Sequence, residues 1–258
     1  MPNKLKEIWA DGRGTINGWC SIGSPFTAEI MAAQGYDSVC IDIQHGALDY
    51  SMALPMLQAL RGTGVTPLVR VPWNEPGIIM KALDAGAEGI ICPMVNSRAE
   101  AEALVAAMRY PPDGARSYGP TRVSVGAGPG YYGEANASIL AFAMIETAEA
   151  VENVAEIAAT PGLDGLYIGP ADLTLGVTKG RLPPGFDRQE EEMVTVIKSI
   201  LAAAKDAGKR AALHCGSAQY AAKAIAWGFD MTTVSGDVRL LAAAADASVR
   251  EWRGLVGD

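Results

Sequence analysis

Eight short apolar runs, rich in β-branched and aromatic residues, alternate with helical patterns along this chain of 258 residues. In order, the runs are TINGWC, YDSVCIDI, TPLVRV, EGIICPM, LAFAMIE, GLYIG, RAALHC and MTTVSG. Because these runs are almost continuously apolar, they are typical of strands buried on both faces of a parallel sheet. Strands that alternate with helices in this way predict successive β/α units.

The number of repeats favours a closed barrel over an open sheet. Eight β/α units in about 250 residues match the (β/α)8 TIM barrel. An open dinucleotide-binding sheet would require a Gly-x-Gly-x-x-Gly turn after the first run, and the sequence has none there. No Ser/Gly/Pro-rich linker interrupts the alternation, so we predict one α/β domain, a TIM barrel, over residues 1–258.

Residues 111–139 form the one connection that is too long for this pattern, and they are rich in Gly, Tyr and Arg. Long excursions from a barrel often cover the active site. We therefore expect this segment to be a loop at the edge of the site.

Composition excludes several kinds of partner. A net charge of −8, a pI near 4.9 and scattered basic residues disfavour nucleic acid and membrane surfaces. No apolar stretch approaches the ~20 residues of a membrane span, and the N-terminus lacks a signal-peptide core, so the sequence predicts a cytoplasmic protein. The four cysteines lie in or beside the apolar runs without metal-site spacing and are interpreted as reduced core thiols.

Polar side chains stand where several of these runs end. In a TIM barrel the active site is built at the carboxyl ends of the strands, so these residues are predicted to meet at one rim. They are Asp42, Gln44, His45, Arg70, Glu146 and Asp172.

Glu146 and Asp172 are carboxylates placed where buried strands give way to loops. Carboxylate oxygens are preferred ligands of hard cations, so the pair predicts a Mg²⁺ or Mn²⁺ site whose other positions are open to water and substrate. The alternative is that both residues cap the helices that follow. The GPAD turn beside Asp172 offers backbone N–H groups at Ala171 and Asp172 that suit a substrate carboxylate.

Arg70 and His45 supply a cation and a base to the same rim. Arg70 suits a developing oxyanion, although a salt bridge to Glu146 or Asp172 is the structural alternative. Imidazole exchanges protons near neutral pH, and Asp42 could orient the ring of His45. His214, at the end of the seventh run, suits rim packing and substrate contact equally. No lysine stands at a strand end, which disfavours Schiff-base catalysis.

Seven segments make the chain similar to the class II 2-oxo acid aldolases, the HpcH/HpaI aldolase family. They are GWCSIGSP, DIQHG, LVRVPWNEP, ALDAGAEGIICPMVNS, RYPPDGARSYGP, MIET and YIGPADL, in order across most of residues 18–176. The resemblance implies a divalent-metal aldolase, using Mg²⁺, Mn²⁺ or Co²⁺, that makes or cleaves 4-hydroxy-2-oxo acids. The reaction would pass through a metal-bound enolate of pyruvate or hydroxypyruvate and an aldehyde.

The resemblance also implies roles for particular residues. Glu146 and Asp172 would bind the metal, Arg70 would steady the enolate oxygen, and His45 with Asp42 would move protons. Gly169, Ala171 and Asp172 would contact the pyruvate end of the substrate, and Trp19 and Asp84 the aldehyde end, with Asp84 reaching in from a neighbouring subunit. A homohexamer, built as a trimer of dimers with exchanged C-terminal helices, and a place in aromatic compound catabolism are implied likewise.

Two departures from the family pattern make the substrate less certain. Met144 stands near the substrate where the family often has Gln, and Gln44 stands where Glu commonly precedes the histidine. Three alternatives stay open. The first is a malyl or citramalyl thioester lyase, the second an oxaloacetate decarboxylase using the same enolate, and the third a protein that binds a 2-oxo acid without catalysis.

Overall fold

The computed structural model describes residues 3–257, and its sheet is a closed barrel of eight parallel strands in sequential order. The strands are β1 (Thr15–Cys20), β2 (Ser38–Asp42), β3 (Thr66–Arg70), β4 (Gly89–Cys92), β5 (Leu140–Ile145), β6 (Gly165–Ile168), β7 (Arg210–Cys215) and β8 (Met231–Val234). The predicted (β/α)8 barrel is confirmed, and each of the eight apolar runs contains one strand.

Helices connect the strands on the outside of the barrel. They are α1 (Lys4–Ala10), α2 (Pro25–Ala32), α3 (Tyr50–Ala59), α4 (Pro76–Asp84), α5 (Arg98–Met108), α6 (Thr121–Ala127), α7 (Tyr131–Ser138), α8 (Ala148–Glu152), α9 (Val154–Ala158), α10 (Pro170–Thr178), α11 (Glu191–Asp206), α12 (Ala218–Trp227) and α13 (Asp237–Val256). No helix in residues 3–257 is long and apolar enough to cross a membrane.

Local sequence explains where many helices begin. The side chains of Ser24, Ser97 and Ser217 each accept a hydrogen bond from a backbone N–H in the first turn of the following helix. The helical pattern of residues 148–160 is divided in the structure into α8 and α9 at Asn153. The GPAD segment, expected to be a turn, is the beginning of α10.

Two apolar layers hold the barrel together. The interior is filled by side chains that include Phe142, Met144 and Tyr167, and α1 closes its amino end with Leu5 and Trp9. A larger layer packs the outer faces of the strands against the helices. The four cysteines are buried free thiols, as the sequence predicted.

The expectation for residues 111–139 is wrong in two respects. The segment contains the helices α6 and α7, so it is not a simple loop. It joins the end of α5 to the start of β5, and such connections lie at the amino end of a β/α barrel, whereas active sites lie at the carboxyl end. None of its residues lines the cavity at the carboxyl end of the same chain.

Candidate active site

A cavity of about 370 Å³ opens at the carboxyl ends of the strands. Every strand except β4, among the residues described, contributes to its walls directly or through the loop that follows it. Its lining residues are Trp19, Ser21, Asp42, His45, Arg70, Met144, Glu146, Gly169, Pro170, Ala171, Asp172, Phe186, His214, Ser235, Gly236, Asp237, Val238 and Arg239. The structure thus brings together the predicted site residues except Asp84 and Gln44.

Asp42 and Arg70 form a two-point ion pair on one wall of this cavity. They are partners in the register of β2 and β3, and Arg70 donates from Nε at 2.8 Å and from Nη2 at 2.6 Å to the two carboxylate oxygens. Burial disfavours the charged carboxylate, but the hydrogen bonds and charge of Arg70 outweigh it and lower the pKa of Asp42. The pair therefore holds the guanidinium in a fixed direction.

Asp42 also organises the turn that carries His45. Its Oδ1 accepts hydrogen bonds from the backbone N–H groups of Gln44 at 3.1 Å and His45 at 3.2 Å. The exposed His45 side chain lines the cavity mouth. The contacts of the Asp42 carboxylate are thus with the backbone of this turn, with Arg70 and with Trp19, rather than with the imidazole ring as the sequence suggested.

Glu146 is a buried carboxylate at the end of β5, with only 2% of its surface exposed. Its Oε1 accepts a hydrogen bond of 2.8 Å from the backbone N–H of Met94, which has a left-handed φ of 55°. Burial, reinforced by the charge of Asp172, raises the pKa of Glu146 to about 7, although Met94 and Arg70 oppose this shift. Thr147 caps α8, so Glu146 is not a helix cap.

Asp172 lies in the first turn of α10, and its exposed carboxylate accepts no hydrogen bond from residues 3–257. No side chain caps α10, so the N–H groups of Ala171 and Asp172 are free to face the cavity. A Cβ at Gly169 would clash with Glu146 Oε2 and would lie 2.9 Å from Met144 Cε. Glycine at this position therefore lets the backbone of α10 approach Glu146.

Trp19 and His214 stand side by side in the cavity wall. Trp19 donates from Nε1 to Asp42 at 3.2 Å, and the centroid of the His214 ring lies 4.8 Å from that of Trp19. His214 Nδ1 is 3.1 Å from the hydroxyl of Tyr167, which is 2.7 Å from Thr233 Oγ1. Burial and the nearby Arg70 lower the pKa of His214 to about 3, so the ring is neutral.

Asp84 is a predicted residue that this chain does not bring to its own cavity. It ends α4, at the amino end of the barrel, where its carboxylate pairs with Arg116 at 2.6 Å. Contact between Asp84 and substrate stays a prediction about a neighbouring subunit.

The two departures from the family pattern differ in position. Met144 lines the cavity, whereas Gln44 does not. The buried Oε1 of Gln44 has no hydrogen-bond partner among the described residues.

Sequence reasoning missed the part of the cavity formed by Phe186 and the segment from Ser235 to Arg239. Phe186 lies between α10 and α11, in a connection that carries no strand-end signal. Asp237 and Arg239 lie in the first turn of α13, beyond residues 18–176, which contain the segments that carry the family resemblance. The rule that places active sites at the ends of all eight strands could have drawn attention to the residues after β8.

The sequence of this chain is similar to a known protein family and to characterised members of it. A model of the HpcH/HpaI aldolase/citrate lyase family matches residues 17–243. A hydroxypyruvate/pyruvate aldolase of Rhizorhabdus wittichii is 43% identical over 253 residues, which are 98% of this chain and 100% of that protein. A 5-keto-4-deoxy-D-glucarate aldolase of Citrobacter koseri is 34% identical over 240 residues, which are 92% of this chain and 91% of that protein.

A solved structure agrees with the sequence comparisons. The crystal structure of an HpcH/HpaI aldolase/citrate lyase family protein from Burkholderia cenocepacia superposes with a TM-score of 0.89 at 33% identity, covering 97% of this chain and 99% of that one. The barrel described above is therefore that of a carbon–carbon lyase. The chain belongs to the HpcH/HpaI aldolase/citrate lyase family, as the sequence resemblance indicated.

Proposed function

We propose that this lyase is a divalent-metal-dependent aldolase that joins or cleaves a pyruvate-type 2-oxo acid and an aldehyde. The observation that carries the proposal is the buried carboxylate of Glu146 beside Asp172, within the electrostatic influence of a guanidinium fixed by Asp42. The products of bond formation would be 4-hydroxy-2-oxo acids. Pyruvate and hydroxypyruvate are both candidate donors.

The two carboxylates fit a hard divalent cation such as Mg²⁺, Mn²⁺ or Co²⁺. Burial disfavours the charge of Glu146, and a cation bound there would compensate it. Two carboxylates do not fill the six-oxygen shell that such a cation prefers, so substrate oxygens and water would take the other positions. Such a cation would polarise the keto oxygen of a 2-oxo acid and favour proton loss from the adjacent carbon.

The beginning of α10 would bind and orient the donor. Free N–H groups at a helix N-terminus favour an anion, and those of Ala171 and Asp172 belong to cavity-lining residues at a helix start that no side chain caps. We assign them the carboxylate of the 2-oxo acid, with Gly169 allowing the close approach. The other end of the donor is then directed toward Arg70.

Arg70 would stabilise the negative charge that develops on the keto oxygen. Its guanidinium is held by the two hydrogen bonds that it donates to Asp42, so it needs no reorganisation as the charge forms. In the synthetic direction, the carbon next to the keto group loses a proton and attacks the aldehyde carbon. The new bond leaves an alkoxide on the former aldehyde oxygen, which then takes up a proton.

His45 is the candidate for moving these protons. Its side chain is exposed at the cavity mouth, and its backbone N–H is held by Asp42, so the ring can reach bound water and substrate. A covalent imine is not required, because no lysine is among the residues that line the cavity.

We further propose that the protein is a homo-oligomer in which α13 packs on a second copy of the chain. Apart from Asp237, every residue of this 20-residue helix is exposed, including the large apolar residues Val249, Trp252 and Leu255. A helix with an apolar stripe is usually buried along that stripe. The hexamer with exchanged C-terminal helices that the resemblance implies would bury it.

Metal removal and restoration test the proposed activity. Metal-stripped protein is expected to form no carbon–carbon bond between pyruvate and any member of a panel of aldehydes, and Mg²⁺, Mn²⁺ or Co²⁺ is expected to restore bond formation. Borohydride added with pyruvate should not inactivate the protein, since that treatment traps only imine enzymes. Full activity in stripped protein would contradict the metal requirement, and turnover of oxaloacetate alone would identify a decarboxylase.

A further inference from the structure

A hydrogen-bonded chain of polar side chains runs through the interior of the barrel and ends at the cavity. Ser38 Oγ lies 2.8 Å from Asn17 Oδ1, and Asn17 Nδ2 lies 2.8 Å from Thr233 Oγ1. The Tyr167 hydroxyl continues the chain, at 2.7 Å from Thr233 Oγ1 and 3.1 Å from His214 Nδ1. The first four residues are completely buried, and of the five only His214 lines the cavity. The chain therefore connects the packed interior of the barrel with the site.

Donors and acceptors along this chain can be matched in one direction. Thr233 Oγ1 accepts an N–H from the amide of Asn17, so its own proton has one acceptor among residues 3–257, the oxygen of Tyr167. The phenolic proton of Tyr167 is then donated to Nδ1 of His214. If Tyr167 donated to Thr233 instead, the threonine proton would be buried without an acceptor. In this order Nδ1 of His214 is an acceptor, and the single ring proton lies on Nε2.

The opposite order of donation is weaker at its far end. With the Asn17 amide turned over, an N–H would be donated to Ser38 Oγ, and the Ser38 proton would be directed to the sulfur of Met231 at 3.8 Å. A thioether sulfur is a weak acceptor. The first order uses an oxygen or nitrogen acceptor for every bond, and it fixes the Nε2–H tautomer of His214.

Nε2 of His214 opens on the cavity. It has no hydrogen-bond partner among residues 3–257 and is not enclosed by them, whereas Nδ1 points to Tyr167 in the barrel interior. Phe186 stacks on the imidazole ring at 4.8 Å with an angle of 21°, and Trp19 meets it at 4.8 Å in a T-shaped contact. The Arg239 guanidinium covers Phe186 at 4.6 Å. The imidazole is therefore held in place with one N–H available to a bound molecule.

The surrounding charges keep His214 neutral and distinguish its position from that of the carboxylate pair. Burial and the charges of Arg70 and Arg239 lower the pKa of His214 to about 3. Neither Glu146 nor Asp172 contributes to this shift. His214 therefore lies within reach of the Arg70 charge and beyond that of the carboxylate pair, which suits contact with the aldehyde rather than with the 2-oxo acid.

We propose that His214 is a further catalytic residue, whose Nε2–H donates a hydrogen bond to the aldehyde oxygen as that oxygen becomes an alkoxide. Tyr167 and Thr233 are then positioning residues that keep the ring proton on Nε2. The inference rests on the proposed function, which supplies the enolate. When the enolate carbon attacks the aldehyde carbon, the π electron pair of the carbonyl moves to its oxygen, and the N–H stabilises this charge without giving up its proton. The alkoxide then takes a proton from water or from His45.

Two measurements on metal-loaded protein separate this step from enolate formation. His214→Leu should lower kcat/KM for joining pyruvate to the aldehyde that wild type uses best by about 100-fold, as loss of one oxyanion donor typically does. The variant should keep most of the deuterium exchange into pyruvate without aldehyde, because that step forms no alkoxide. His214→Gln retains an N–H donor and should recover part of the lost rate.

The two measurements also distinguish failure of this inference from failure of the proposed function. Unchanged bond formation in His214→Leu, or equal losses of bond formation and exchange, would overturn the role of His214. Absence of exchange in metal-loaded wild type would instead overturn the proposed function.

Nitrogen NMR of the imidazole tests the position of the proton directly. The chain has two histidines, so His214→Leu assigns the ring signals of ¹⁵N-labelled protein. We expect wild type at pH 7 to carry the His214 proton on Nε2. A proton on Nδ1 would overturn the inference.

Tyr167→Phe tests the positioning role of the buried chain. The substitution removes the donor to Nδ1, so it should populate both tautomers of His214 and lower bond formation by about 10-fold, with most of the exchange kept. Tyr132→Phe is the matched control, since it removes an exposed hydroxyl that donates to Pro111 at the amino end of the barrel, and it should alter neither quantity. Wild-type bond formation in Tyr167→Phe would contradict the positioning role.

Discussion

Replacing Arg70 with alanine is expected to abolish enolate formation. The substitution removes the fixed guanidinium that stabilises the oxyanion, and loss of one such donor typically lowers kcat by about 100- to 1,000-fold. Exchange of the pyruvate methyl protons with deuterium from solvent, followed by NMR, measures this step without an aldehyde. Wild-type exchange rates in Arg70→Ala would remove Arg70 from the mechanism.

The same substitution is expected to destabilise the fold, since Asp42 loses its buried partner. Breaking a buried ion pair costs about 3 kcal/mol or more of the free energy of unfolding. Because the pKa of Asp42 is lower in the folded protein than in the unfolded chain, the ion pair stabilises the fold at pH values above the unfolded pKa of about 3.9. This contribution is lost as pH falls through the folded pKa. Urea unfolding should therefore separate wild type from variant at pH 7 and bring them together in acid.

Arg70→Lys is the matched control for both effects. Lysine keeps the positive charge but not the paired N–H groups that bind both oxygens of Asp42. We expect this variant to recover part of the stability at pH 7 and little of the exchange rate. Full recovery of exchange would show that charge alone, without the fixed geometry, is sufficient.

Replacing Glu146 with glutamine is expected to remove metal binding while the fold is kept. The amide retains the size of the side chain, and its oxygen can still accept the hydrogen bond of Met94. Mutation of a residue that only hydrogen-bonds a metal ligand typically weakens metal binding by about 10- to 100-fold. Glu146 is proposed to coordinate the metal directly, so its loss should weaken Mg²⁺ or Mn²⁺ binding by more than that. Calorimetric titration of stripped protein with Mn²⁺ measures this, with Asp172→Asn as the companion variant.

Stability gives Glu146→Gln a second readout. Burial raises the pKa of Glu146 to about 7, so this group stabilises the fold below its unfolded pKa and loses that contribution as pH rises through 7. Without metal, the variant should be more stable than wild type at pH 8, by about 3 kcal/mol, and the difference should shrink toward pH 4. Equal Mn²⁺ affinity in variant and wild type would show that Glu146 is not a ligand.

The sequence predicted most of the residues that line the cavity because strand ends can be recognised in a β/α barrel. A buried strand that closes with Arg70 or Glu146 has no packing reason to do so, and register then places these residues at one cavity. The pairing of Asp42 with Arg70 instead of the His45 ring was not predictable, since it depends on neighbouring strands rather than on spacing along the chain.

Other features depended on geometry that a single sequence does not contain. The position of residues 111–139 follows from which end of the barrel their connection occupies, and glycine-rich composition carries no such information. The stack of His214, Phe186 and Arg239 joins the end of β7, the connection between α10 and α11, and the start of α13. Only the folded barrel brings these three side chains together.

Deuterium exchange into pyruvate tests the central claim most directly, because it isolates enolate formation at the carboxylate pair. Metal-stripped protein is incubated with pyruvate in D₂O, and the methyl signal is followed by NMR before and after addition of Mg²⁺, Mn²⁺ or Co²⁺. The account predicts exchange at the solvent background rate without metal and catalysed exchange when metal is restored. Binding of all three metals without any catalysed exchange would contradict it.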